Sequence, residues 1–135
     1  MSHTLFQQGL RVYWEDTDAG GIVFYANYLK FFERARTEWL RSLGFEQQKL
    51  RETEGLIFVA SATSVRYLAP ARLDDWITVS VELRESGRAS MTLFQQARRG
   101  DDLLAEGEIR IGCINAATFR PARIPSSLLQ ALPKQ

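Results

Sequence analysis

A chain of 135 residues, 45% of them apolar and 11% aromatic, carries enough apolar surface for a sizeable core and is expected to form a single domain over residues 1–135. Its 17 Lys and Arg against 16 Asp and Glu leave a formal charge of +1, which excludes a global attraction to nucleic acid or to an anionic membrane. The lone Cys113 cannot form an internal disulfide, and no apolar run is long enough to cross a bilayer or to serve as a leader, so a cytoplasmic setting is expected.

From the N-terminus, Leu10, Val12 and Trp14 alternate with Arg11, Tyr13 and Glu15, which predicts a first strand reaching about Glu15. The segment Asp16-Thr17-Asp18-Ala19-Gly20-Gly21 then reads as a loop whose paired glycines permit unusual dihedrals or a close approach. From Asn27 to Leu43 the period changes, with Tyr28, Phe31, Phe32, Ala35, Trp39 and Leu43 on one stripe of an amphipathic helix. Asn27 is the expected N-cap and Gly44 the expected left-handed stop. Charged pairs from Glu33 to Arg36, Arg34 to Glu38 and Glu38 to Arg41 are expected on its outer face.

Four further strands are expected near residues 56–68, 75–85, 88–99 and 103–115, the clearest being Ile77, Val79, Val81 and Leu83. Ser86-Gly87 and Arg99-Gly100-Asp101-Asp102 suit antiparallel hairpins between the last three. Pro125-Ser126-Ser127 ahead of Leu128, Leu129 and Leu132 predicts a short closing helix. One long helix with five segregated strands makes an α+β architecture in which the sheet must curl around that helix.

The inventory of reactive side chains is short. The only histidine, His3, lies in the terminal segment, so histidine-assisted nucleophilic catalysis is not expected. Cys113 alternates with Ile109 and Ile111 as a buried strand residue, and no His and Cys cluster has metal spacing. Chemistry then falls to a carboxylate. Asp16 and Asp18 are best placed, in a loop leading to the helix N-terminus, whose amides and partial positive charge could hold an acyl oxygen as it becomes an oxyanion. The competing reading is that both aspartates only shape and cap the turn.

The run from Arg11 to Tyr28, RVYWEDTDAGGIVFYANY, followed by Phe32-Glu33-Arg34-Ala35-Arg36-Thr37-Glu38 and by Tyr67-Leu68-Ala69-Pro70-Ala71-Arg72-Leu73-Asp74-Asp75, resembles the 4-hydroxybenzoyl-CoA thioesterase family. Within it, the chain is most similar to the Tol-Pal-associated acyl-CoA thioesterase branch, over about Leu5 to Pro133. The resemblance implies a hotdog fold, a five-stranded antiparallel sheet wrapped around one central helix. It also implies homodimers that often pair into tetramers, with active sites at the dimer interface, and hydrolysis of an acyl-CoA to free acid and CoA. Coenzyme A is then part of the substrate and no separate cofactor is expected.

The family's catalytic aspartate falls on Asp18, and the Tyr25 amide at the helix start is expected to polarise the thioester carbonyl. The Tol-Pal branch commonly has histidine where this chain has Tyr25, whereas the hydroxybenzoyl branch also carries tyrosine there. Phe24, Tyr28 and Phe58 are candidates for the acyl pocket, with core packing the alternative for each. Arg88 and Ser90 are candidates for contacts to the coenzyme, and Arg66, Arg72 and Arg98 are further cations beside strands. The alternative function is a catalytically weak module that binds acyl-CoA or acyl carrier protein.

Overall fold

The computed structural model describes residues 5–133, so His3 lies outside the described residues. In chain order it has β1 (Phe6–Arg11), α1 (Asn27–Ser42), α2 (Gln47–Glu54), β2 (Leu56–Tyr67), β3 (Trp76–Ser86), β4 (Ser90–Arg99), β5 (Asp102–Asn115) and α3 (Ser126–Ala131). The strands form one antiparallel sheet in the order β1-β3-β4-β5-β2, with β1 and β2 at its edges. This is the expected α+β hotdog arrangement.

The two periodicities meet in one core. Ile77, Val79 and Val81 of β3, Met91, Leu93 and Ala97 of β4, and Ile109, Ile111 and Cys113 of β5 are buried at alternate positions. They join Tyr28, Phe31, Phe32, Ala35 and Trp39 of α1 in a single cluster. Full burial of each large side chain contributes about 2 kcal/mol, so this helix stripe is a principal source of stability. Gly107 of β5 permits the close fit: a Cβ there would stand 2.8 Å from the Ser64 carbonyl oxygen and 3.5 Å from the Phe32 ring.

The stop of α1 follows from Gly44, whose φ of 94° is open to glycine at little cost. The Phe45 amide donates to the Leu40 carbonyl and the Gly44 amide to that of Arg41, each at 3.0 Å, which is the Schellman arrangement. The start differs from expectation. Ala26 is the residue before the first helical turn, and Asn27 is inside it, its side-chain amide donating to Asp16 Oδ1 at 2.8 Å.

Three other expectations are corrected. The first strand ends at Arg11, because Asp16 Oδ2 accepts the Tyr13 amide at 2.8 Å and winds residues Trp14–Asp16 into a single 3₁₀ turn. Trp14 is left 82% exposed. Helix α2 was not expected, since Leu50 is its only buried residue and a one-residue stripe gives no periodic signal. On the outer face of α1, Arg41 pairs with Glu38 at 3.3 Å, but Arg36 turns inward and donates to Gln95 Oε1 at 3.0 Å.

Candidate active site

The loop between β1 and α1 is a small hairpin in its own right. Thr17 bridges Val23, the Asp18 amide donates to the Ile22 carbonyl at 2.9 Å, and Gly21 closes the turn with φ of 77°. Its two carboxylates have separate fates. Asp16 is fully engaged: one oxygen accepts from the Tyr13 amide, the other from Asn27, and its carbonyl accepts the Phe24 amide at 3.1 Å. Asp18 is exposed, and its Oδ1 accepts only the Gly20 amide, at 2.8 Å. No other hydrogen bond to that carboxylate forms among the described residues, so one oxygen is open to substrate or water. Both aspartates therefore shape the turn, Asp16 with both of its carboxylate oxygens and Asp18 with one, which leaves the other Asp18 oxygen open.

The first turn of α1 uses short-range bonds. The Asn27 amide donates to the Phe24 carbonyl at 2.8 Å, Tyr28 to Tyr25 at 3.2 Å and Leu29 to Ala26 at 3.1 Å. The Tyr25 amide makes no hydrogen bond among the described residues, which leaves a main-chain donor at the positive end of the helix. Around it stand rings. Phe24 and Tyr25 are 5.0 Å apart, and Tyr67 at the end of β2 meets Tyr25 edge-on at 5.7 Å and Tyr28 at 5.6 Å. Phe24 and Tyr25 are 48% and 62% exposed, whereas Tyr28 is buried and its hydroxyl accepts the Ala71 amide at 3.2 Å. Tyr28 is thus a core residue that holds the neighbouring loop.

That neighbouring loop, residues 68–75, braces the hairpin from below. The Val23 amide donates to the Ala71 carbonyl at 2.8 Å, and Ile22 bridges Arg72. Val12 and the Asp74–Asp75 segment exchange hydrogen bonds of 2.9 and 3.0 Å. Asp75 fixes the loop by accepting from Arg99 and from the Arg72 amide, both at 2.8 Å. Partial burial alone would raise the Asp75 carboxyl; these bonds and the charges of Arg99 and Arg72 instead hold it below the usual range.

Phe58, Arg88 and Ser90 are not brought to this end in a single chain. Phe58 pairs with Cys113, whose amide donates to Ala89, while Tyr67 pairs with Ala105. Phe58 and Tyr67 stand nine residue steps apart along strand β2, roughly 30 Å at the usual rise. Ser90 accepts from Arg110 at 3.4 Å beside a shallow cleft, and Arg88 is exposed in the turn before it. Phe58 lines a cavity of about 340 Å³ between α1, α2 and the sheet. Of the other cations, Arg66 is paired with Glu106, and Arg98 bonds Gln96 and the Asp101 carbonyl. Arg72 remains the cation beside the Asp18 hairpin. Among the described residues, no group of three His, Cys, Asp or Glu side chains is placed to hold a metal.

Sequence reasoning missed the part played by Tyr67, the Asp16–Asn27 tie and the inward turn of Arg36. Tyr67 stands three residues before Pro70 at the head of a recognisable motif, which was the available signal. The other two depend on tertiary contacts that no local pattern encodes.

Comparison with known proteins agrees with the fold. The chain is 40% identical to an acyl-CoA thioesterase YbgC of Haemophilus influenzae over 93% of both chains. It is 41% identical to an acyl-CoA thioester hydrolase YbgC of Escherichia coli over 96% of both. A probable thioesterase from Bartonella henselae superposes with a TM-score of 0.86 at 33% identity, covering 90% of this chain and all of that one. The model of the thioesterase-like superfamily matches residues 12–132, and the chain belongs to that superfamily, among the relatives of YbgC.

Proposed function

We propose that this chain hydrolyses acyl-CoA thioesters with the Asp18 carboxylate as its central group and the Tyr25 main-chain amide as the donor to the thioester carbonyl. The reading rests on one observation above others: of two aspartates in the hairpin, only Asp18 keeps an open oxygen, a few residues from an unengaged amide at the start of α1. A thioester is an activated acyl donor, so orientation, carbonyl polarisation and one carboxylate suffice. Asp18 can act by attack on the acyl carbon, expelling CoA thiolate and leaving an anhydride that water opens. It can equally act by taking a proton from water that attacks. Both routes end in free acid and CoA.

The site is completed by a second copy of the chain. Strand β2 is a sheet edge of 12 residues, exposed from Val59 to Ser64, and such an edge is a template for another strand. Two-fold antiparallel pairing of β2 with its copy, centred near Ala62, sets the Phe58 end of each subunit against the Tyr67 end of the other. Each Asp18 hairpin then faces a second subunit's Phe58, Arg88 and Ser90, with Arg72 and Arg88 available to the coenzyme's phosphates.

Asp18→Asn tests the reading. Its turnover of acyl-CoA substrates, followed by release of free thiol, should fall by roughly 10² or more while circular dichroism stays unchanged. Near-normal turnover would exclude Asp18 as the central group, and no turnover of any thioester by the wild type would favour an acyl-binding module.

A further inference from the structure

The cavity at the Phe58 end has a polar feature that hydrolysis does not explain. Its walls include, from α1, Arg36 together with Glu33 and Thr37 and, from the sheet, Phe58, Met91, Leu93 and Ile111. Its volume of about 340 Å³ sits at the low end for ligand pockets, which suits a compact acyl group. Arg36 is half-buried beside these apolar walls. Its Nη1 donates to Gln95 Oε1 at 3.0 Å, and Gln95 is itself wholly buried. The Gln95 side-chain amide donates to the Phe32 carbonyl at 3.0 Å and the Ser80 carbonyl at 3.4 Å, so the guanidinium is held in a fixed place.

A guanidinium has five N–H donors, and among the described residues this one spends a single donor on a neutral acceptor and forms no ion pair. Burial lowers its pKa, with the charge of Glu33 only partly offsetting that effect. Its remaining nitrogens are not sealed off, since among the described residues no buried side-chain nitrogen or oxygen lacks a hydrogen-bond partner, so they stay open to an incoming acceptor. Clamping α1 to β4 alone would not require a charge.

We infer that Arg36 determines acyl specificity by binding an oxygen acceptor at the far end of a short acyl group lodged in this cavity. The inference rests on the proposed function, because the acyl group is delivered from Asp18 of the second subunit across the β2 edge. Acyl chains ending in a carboxylate or hydroxyl are therefore preferred over alkyl chains of the same length.

The test compares kcat/KM for glutaryl-CoA, 5-hydroxypentanoyl-CoA and pentanoyl-CoA in the wild-type homo-oligomer and in Arg36→Met. One or both oxygen-terminated thioesters should exceed pentanoyl-CoA by on the order of tenfold, as a charge-assisted hydrogen bond provides. A carboxylate preference alone identifies ion pairing, and equal preference for both identifies hydrogen bonding. In Arg36→Met the ratio should fall to about one with pentanoyl-CoA turnover retained. Should that variant not fold, Arg36→Gln serves, since it removes the charge and shortens the donor while keeping a polar side chain beside Gln95: a fallen ratio supports the inference and an unchanged ratio overturns it. A variant that slows all three substrates equally has only a structural arginine, and the inference fails. Asp18-dependent turnover with no preference in the wild type overturns it while leaving the proposed function intact. No turnover of any substrate refutes the hydrolase reading and this inference together.

Discussion

The two ends of the sheet are built for different work. At the Tyr67 end, the Asp18 hairpin, the start of α1 and the 68–75 loop are laced together by main-chain and carboxylate hydrogen bonds, and the rings of Phe24, Tyr25 and Tyr67 stand against one another. At the Phe58 end there is a cavity, an arginine tied to Gln95 and a small cleft at Ser90. On the proposed function the first end would aim a carboxylate and an amide, and the second would receive the acyl group. One chain would then be half of a working unit, since roughly 30 Å of strand separates the two ends.

The largest way to break this comparison is to deny the ends their meeting. Replacing Ser61 and Thr63 together by lysine places like charges along the β2 edge, which blunts strand pairing. The expected result is a monomer by sedimentation with retained secondary structure, and turnover lowered by on the order of a hundredfold because the acyl group loses its seat. A fully active monomer would show that one end suffices.

A smaller effect sharpens the contrast between the two aspartates. Asp16→Ala removes the acceptor of Asn27 and of the Tyr13 amide, and the buried Asn27 donor is then unmet. Stability should fall by about 1–3 kcal/mol in urea unfolding, and kcat by on the order of tenfold as the Asp18 hairpin loosens. Asp18→Asn should do the reverse, costing activity but little stability. If both variants lose activity alone, the two residues share the chemistry.

The smallest effect concerns pH. Asp75 has a folded pKa below its unfolded value, so its contribution to stability is complete above the unfolded carboxylate range of about 4 and is lost as pH falls through the folded value. The difference in urea midpoint between wild type and Asp75→Asn should thus be present at neutral pH and shrink below about pH 4. A difference that persists at the acidic end would mean that the brace of the 68–75 loop does not depend on that charge.

Much of the architecture was legible because it is local. The alternation in β3 and β5, the aromatic stripe of α1 and Gly44 as its stop are period and dihedral effects that act over a few residues. The choice of Asp18 over Asp16 as the candidate carboxylate came only through a long motif, since composition alone gave Asp16 an equal claim. What separates them is which one Asn27 and Tyr13 engage, and that is decided when the helix docks. Helix α2 escaped for the opposite reason: Gln47–Glu54 are good helix formers with a left-handed Gly55 at the end, but the polar turns have almost no buried face to betray them. Placing Phe58 and Ser90 far from Asp18 required the strand register.

The buried amide of Gln95 acts as an index pin. By holding the Phe32 carbonyl near the middle of α1, it opposes both rotation of that rod and travel along its axis, where the next equivalent seat lies about 5.4 Å away. The height of the helix mouth above the hairpin is therefore set from the interior of the protein, well away from solvent. A substrate bound there, as the proposed function has it, would meet a donor whose position was decided before it came.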